Sequence, residues 1–262
     1  MLNLLLTRLK QGHRTMPYPE GPPPPLPDRF RGAPTLRPTP GEDASCPPDC
    51  AQCVEACPTH AIALAERGPR FDLGRCLFCT DCIDACPTGA LTHGTDWRLS
   101  TRTRQALLTD RGSVEKLAAL DDALKRLFGR SLKLRQVSAG GCGGCEADVN
   151  VLSTVGWDLA RFGIQIVASP RHADGVLITG CVSEHMRQAL RDTYDAIPSP
   201  RVVIAVGACA ISGGPFAGSP AQHDGATELL PIDLFIPGCP PHPLTILDGL
   251  LGLMGRLEGA LP

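Results

Sequence analysis

Along this chain five short apolar runs stand out from polar surroundings: Leu132 to Val137, Ile164 to Ala168, Gly175 to Thr179, Val202 to Val206 and Ile232 to Ile236. Between and after them, apolar residues recur at three- and four-residue steps. Leu152, Val155, Leu159 and Phe162 form one such set, Met186, Leu190, Tyr194 and Ile197 a second, and Leu247, Leu250, Met254 and Leu257, behind Pro243, a third. Short apolar runs of this kind predict buried strands, and the stepped stretches predict helices. Their alternation predicts an α/β domain with a flavodoxin-like parallel sheet. Upstream, Ser113 is placed to cap a helix whose Leu117, Leu120, Leu124, Leu127 and Phe128 share a face and which Gly129 closes. At the start of the chain Leu2, Leu5, Leu6 and Leu9 fall at helical spacing beside Arg8 and Lys10. Such a helix suits either a membrane surface or a groove on a partner protein. From Pro17 to Pro40 the density of proline predicts an extended strap or linker rather than regular structure.

Chemistry enters where the apolar runs stop. Cys142 and Cys145 lie on a glycine-rich turn after the first run, Cys209 closes the fourth and Cys239 the fifth. In an open parallel sheet, ligands gather beyond the carboxyl ends of the strands, so these four thiols are predicted to converge as a closed four-cysteine site. The neighbouring glycines leave room for a large group and free their amides to face it. Cys181 also ends a run, and position alone does not separate it from the other four. The glycine-rich turns at 140–144 and 212–214 match neither Gly-x-Gly-x-x-Gly nor a P-loop, so nucleotide binding is not predicted.

A second set of thiols forms an internal repeat. Cys46-x3-Cys50-x2-Cys53-x3-Cys57-Pro58 is followed by Cys76-x2-Cys79-x2-Cys82-x3-Cys86-Pro87; Cys53 and Cys82, like Cys57 and Cys86, are 29 positions apart. This is the run of a bacterial two-cluster ferredoxin, a small α+β domain in which the fourth cysteine of each motif ligates the other cluster. The predicted sets are Cys46, Cys50, Cys53 and Cys86 for one 4Fe–4S cluster, and Cys76, Cys79, Cys82 and Cys57 for the other. The first gap is three residues instead of the usual two, which makes Cys46 the ligand most exposed to revision. Structural zinc is the bland alternative, since paired thiols suit it equally by softness.

Composition fits this picture. A chain of 262 residues is long enough for about two domains and a substantial core without covalent staples. Its thirteen cysteines sit in groups too tight for a disulfide framework, and no cleavable signal peptide is recognised, so a reducing, cytoplasmic setting is expected. A formal charge of -2 without a dominant basic run argues against nucleic acid as a partner. No apolar run reaches membrane-spanning length.

Residues 132 to 258 resemble the small subunit of membrane-associated nickel–iron hydrogenases of the formate hydrogenlyase type, a relative of the 20 kDa quinone-side cluster subunit of respiratory complex I. The resemblance rests on Cys142-Gly-Gly-Cys145-Glu146, Ser169-Pro-Arg-His-Ala-Asp174, Gly207-Ala-Cys209 with Ser212-Gly-Gly214, and Ile236-Pro-Gly-Cys239-Pro-Pro241. It implies one 4Fe–4S cluster on Cys142, Cys145, Cys209 and Cys239. The complex I relative carries two adjacent cysteines at the first motif, whereas Gly143 and Gly144 separate them here, which favours the hydrogenase branch. The opening segment and Phe71-Asp-Leu-Gly-Arg-Cys76 resemble the ferredoxin-type subunit of the same assemblies, so the chain looks like a fusion of two neighbouring subunits. Its expected units are an N-terminal helix and strap over 1–40, a ferredoxin-like domain over 41–94, a helical connector over 95–131 and the sheet domain over 132–262.

The resemblance further implies an electron-transfer subunit with no substrate-converting residue. Its expected partners are a hydrogenase large subunit and membrane-embedded and other electron-transfer subunits, on the inner face of the cell membrane, with peripheral contact through residues 1–10. Glu146 is a candidate proton relay, although a carboxylate in a first helical turn is also favoured by the helix dipole. Arg171 and His172 are candidates for tuning the third cluster. Cys181, the thirteenth thiol, reads as a small apolar residue lining the cluster cavity. The rival readings are a complex I-like module that reduces quinone and a zinc-stabilised scaffold.

Overall fold

A computed structural model describes residues 2–12, 14–22, 25–37, 47, 50–66, 68–110, 112–115 and 117–257 of the chain. The five apolar runs become β6 (Leu132–Ser138), β7 (Ile164–Ile166), β8 (Gly175–Thr179), β9 (Val202–Val206) and β10 (Leu234–Ile236). They pair in parallel in the order β10-β9-β8-β6-β7. Counted from the first strand of the domain this is 2-1-3-4-5, the flavodoxin order, whose switch point lies between β6 and β8. β8 and β9 are buried along their whole length, as strands covered on both faces must be.

Side-chain alternation divides the core. Val137, Val176, Ile178, Val203 and Ala205 pack towards α6 (Glu184–Asp195) and α7 (Ala208–Ser212) through Leu190, Ala210 and Ile211. On the other face Leu132, Leu134, Leu177, Ile204 and Val206 meet Val149 of α5 (Gly144–Val151) and Leu244, Leu247 and Leu251 of α8 (Pro243–Leu253). Every residue of α8 is buried, because the strap and the 95–131 segment cover its outer side with Met16, Tyr18, Leu26, Trp97, Leu117, Leu120 and Leu124. Pro243 sits in the first turn of α8, and the neutral ring of His242 caps it, Nδ1 accepting from the Leu244 amide at 3.1 Å. Burial holds the His242 pKa below its ordinary value and so favours that neutral form.

The ferredoxin-like region is built on β2 (Ile62–Ala65) and β3 (Gly68–Asp72), with α2 (Gln52–Glu55) and α3 (Asp81–Asp84) at equivalent places in the two cysteine motifs. Inside the strap, β1 (Pro34–Leu36) pairs antiparallel with β4 (Leu91–His93), so three strap residues do form regular structure. Gly94 and Ala33 extend the pairing with an amide–carbonyl bond of 2.8 Å.

Two helices differ from the pattern-based expectation. The predicted helix from Ser113 is α4 (Asp122–Phe128), capped by Asp121, whose Oδ1 accepts from the Ala123 and Leu124 amides at 3.0 Å each. Leu117 and Leu120 reach α8 from irregular chain instead, the Leu120 amide bonding the Leu253 carbonyl at 3.0 Å. The predicted helix through Leu152, Val155, Leu159 and Phe162 ends at Val151. Leu152 and Leu159 are both buried, but a turn through Gly156 and Asp158 joins them, Asp158 having φ 47°, and Val155 is left exposed. Among the described residues of the helical connector expected over 95–131, only Gln105–Leu107 and α4 are helical. Its β5 (Leu108–Thr109) joins β3 of the ferredoxin sheet, while Thr101 bridges Phe235 in β10. Arg102 to the Asp233 carbonyl (2.6 Å), Ser212 to the Gly74 carbonyl (2.9 Å) and Arg104 to Asp72 (2.6 Å) hold the same junction. The segment is therefore a shared wall between the two regions.

Candidate iron–sulfur sites

Parallel strand polarity decides which thiols meet. Cys142 and Cys145 follow β6, Cys209 lies in the first turn of α7 after β9, and Cys239 follows β10, all at the carboxyl edge of the sheet. Burial pushes the Cys209 thiol up to about 12, and Cys239, Cys181 and Cys142 add to the rise as nearby negative charges. The Cys145 thiol is raised by burial and then by Cys209, Glu146, Cys239 and Cys142. Four thiols in mutual electrostatic reach, with Cys209 buried and Cys145 half-buried, oppose one another as thiolates and suit a cationic iron core that binds them all. The backbone leaves space for one: at Gly207, φ 90°, a Cβ would stand 2.5 Å from Cys145 Sγ, and at Gly214 a Cβ would stand 2.9 Å from Cys209 Sγ. Cys142 and Cys239 are exposed, so this site opens on the surface.

The thiols of the second set also lie in mutual electrostatic reach. Burial raises Cys76 to about 12, with Cys82, Cys57 and Cys79 contributing, and raises Cys82 to about 12, with Cys79, Cys57 and Cys53 contributing. Cys57, from the first motif, thus stands among the thiols of the second. The Ala61 amide donates to Cys57 Sγ at 3.2 Å and the Phe78 amide to Cys76 Sγ at 3.3 Å, contacts of the kind that would tune a bound cluster. The repeated Pro-Thr places Thr59 against Cys57 (3.9 Å) and Thr88 against Cys86 (3.6 Å). Of the remaining set, Cys50, Cys53 and Cys86 are described and Cys46 lies outside the described residues.

The second and third sets adjoin. Cys79 and Cys239 line one open cleft of about 740 Å³ between the two regions, with Phe78, Pro240 and strap residues Arg29 to Arg31. The charges that raise Cys239 after burial are those of Cys142 and Cys79.

Around the third set, Glu146 Oε1 accepts from Ser138 Oγ and Thr179 Oγ1 at 2.6 Å each. Burial works against its charge, but these hydrogen bonds outweigh it and hold the carboxyl below the ordinary glutamate range. Neither hydroxyl is evident from the motif, although both end strands at the carboxyl edge. Cys181 is buried and donates from Sγ to the Gly140 carbonyl at 3.4 Å, steadying the turn that carries Cys142. Arg171 and His172 are a correction. They form an exposed turn before β8 and, with Leu127, Phe128 and Pro198 to Pro200, mark the amino edge of the sheet. The five residues of β8, roughly 16 Å of strand, separate them from the thiols. They do not flank the third set. His93 was not anticipated: its Nδ1 meets the Gly32 carbonyl and its Nε2 the Cys79 carbonyl, both at 3.0 Å, tying strap to cysteine loop.

Comparison with known proteins completes the assignment. Residues 142–253 match the model of the NADH ubiquinone oxidoreductase 20 kDa subunit, and residues 45–90 match a 4Fe–4S dicluster domain. A probable membrane-bound hydrogenase subunit of Pyrococcus furiosus is 37% identical over 149 residues, which are 57% of this chain and 87% of that protein. The chain belongs to the 20 kDa subunit family of NADH ubiquinone oxidoreductase. Formate hydrogenlyase subunit 7 of Escherichia coli is 38% identical over 55% of this chain, which spans just over half (56%) of that relative. An NADH-quinone oxidoreductase subunit of Bacteroides thetaiotaomicron is 38% identical over 54% of this chain and 71% of its own length. This 20 kDa-family domain, preceded by a 4Fe–4S dicluster domain, makes the chain an iron–sulfur subunit of the oxidoreductase type.

Proposed function

We propose that the chain is the electron-transfer subunit of a multisubunit, membrane-associated nickel–iron hydrogenase. In this reading it holds three 4Fe–4S clusters in series and exchanges electrons with the active site of a large partner subunit. Cys46, Cys50, Cys53 and Cys86 would hold the first, Cys76, Cys79, Cys82 and Cys57 the second, and Cys142, Cys145, Cys209 and Cys239 the third. Bound clusters of this type supply one-electron transfer at low potential. The observation that carries the proposal is the shared cleft: Cys79 and Cys239, from two different ligand sets, stand on its walls. Tunnelling falls steeply with distance, so the fold's contribution is to keep neighbouring ligand sets close, and the 95–109 segment does so by bonding to both regions.

The exposed thiols Cys142 and Cys239 mark the face on which the large subunit would dock. Glu146, anchored by Ser138 and Thr179, would hold a charge-bearing carboxylate beside that face and take part in proton movement there. The units 1–40, 41–94, 95–131 and 132–262 are retained as functional divisions, with the third serving both of its neighbours. The relative named as a subunit of a membrane-bound hydrogenase supports a peripheral place at a membrane; in this reading the chain sits on the inner face of the cell membrane, among membrane-embedded and electron-transfer partners.

A quinone-reducing, complex I-like role is the second reading. The NADH-quinone oxidoreductase relative, as similar as the hydrogenase ones, supports it, whereas the gapped Cys142-Gly-Gly-Cys145 favours hydrogenase. The test is to purify the intact complex and assay hydrogen evolution from a reduced low-potential donor together with nickel content. Hydrogen evolution with stoichiometric nickel is expected; donor-driven quinone reduction without nickel would overturn the hydrogenase reading.

A further inference from the structure

The cysteine sites leave the first element of the chain unexplained. Helix α1 (Leu2–Gln11) buries no residue. Leu2, Leu5, Leu6 and Leu9 make one stripe along it, and each is between 46% and 80% exposed. Arg8 and Lys10 flank that stripe on opposite sides, while Asn3, Thr7 and one further exposed leucine, Leu4, occupy the far face. Ten residues span about 15 Å, half the thickness of a bilayer core, so the helix is too short to cross one and suited to lie in its plane. Its charge has one sign: Arg8, Lys10 and Arg14 precede the first acidic residue, Glu20.

The root of the helix is fixed. Gly12 turns the chain with φ 62°, the Met16 amide bonds the Gly156 carbonyl at 2.9 Å, and the Tyr18 hydroxyl donates to Asp248 in α8. Val155, beside that anchor, is 72% exposed, so the sheet domain adds an apolar residue next to the place where α1 leaves it.

We propose that α1 is an in-plane anchor for an anionic lipid surface, with the leucine stripe and Val155 entering the headgroup boundary and Arg8, Lys10 and Arg14 pairing with lipid phosphates. Of the two occupants that suit such a helix, single-sign charge and cations flanking the stripe favour anionic lipid over a protein groove. The proposal rests on the membrane-associated reading above only for its setting and makes that reading specific: the chain itself contributes lipid affinity.

The experiment uses the full-length, anaerobically purified protein and sedimentation with vesicles of phosphatidylcholine alone or mixed with phosphatidylglycerol. Binding to the anionic vesicles, weakened by salt, is expected, with little binding to the neutral ones. Arg8→Gln with Lys10→Gln should weaken it by roughly tenfold or more, and Leu5→Glu with Leu9→Glu should abolish it. Neither pair of changes touches the core, so the iron content of both variants should equal that of the parent. Failure of the parent protein to bind anionic vesicles, or full binding by the double glutamate variant, overturns the proposal and assigns α1 to a protein groove. Low iron in the parent would count against the electron-transfer reading and leave the vesicle result standing.

Discussion

At the scale of single residues, two kinds of buried group matter, the thiols and Asp248. Asp248 lies inside a largely apolar helix, 4% exposed, and burial raises its pKa to about 6 even though the Tyr18 hydroxyl donates to it and so favours its charge. Unfolded, the group titrates near 3.9, so between about pH 4 and 6 the folded chain binds the extra proton. Its contribution is therefore favourable below about pH 4 and is lost as pH rises through 6, a difference of about 3 kcal/mol. Asp248→Asn, whose amide oxygen still accepts from Tyr18, should melt at or above the parent temperature at pH 7 and lose this part of the pH dependence. A variant that melts lower at every pH would mean the carboxylate is needed. Among the thiols, Cys181→Ala should leave every cluster assembled, since its Sγ is engaged with the Gly140 carbonyl. Cys239→Ala should remove the sheet-domain cluster alone, and iron content with low-temperature spin-resonance spectra of both variants separates the outcomes. The thiols were legible in the sequence because their spacing is itself the chemistry. Tyr18 and Asp248 were not, because 230 positions separate them and no local pattern joins them.

At the scale of elements, the sheet was legible and the helices only partly so. Buried parallel strands read as continuous apolar runs, and β6 to β10 begin and end close to where those runs do. Helical spacing misled at Leu152 to Phe162, because Leu152 and Leu159 are both buried for reasons of tertiary packing while a turn carries the chain between them. It misled again at Ser113, where Asp121 supplies the cap and Leu117 packs from irregular chain. Asp121→Ala should cost about 1 kcal/mol and lower the melting temperature by a few degrees without changing iron content; no change in melting would mean α4 is held by packing alone. The placing of Arg171 and His172 shows what a motif omits. Their neighbours in sequence suggest the cluster, but strand polarity puts the turn before β8 at the edge opposite the thiols.

At the scale of the molecule, the strap, the 95–131 segment and α8 together form an outer layer that joins two redox domains. The consequence is a fixed cleft with a thiol of each neighbouring set on its walls. That continuity is what the electron-relay account requires, and it depends on iron at all three sets. The most direct measurement is iron, acid-labile sulfide and zinc in the anaerobically purified full-length chain. The account predicts about twelve iron atoms per chain with equal sulfide and little zinc. One iron fewer with a three-iron signal would revise the role of Cys46 alone; stoichiometric zinc with almost no iron would contradict the account.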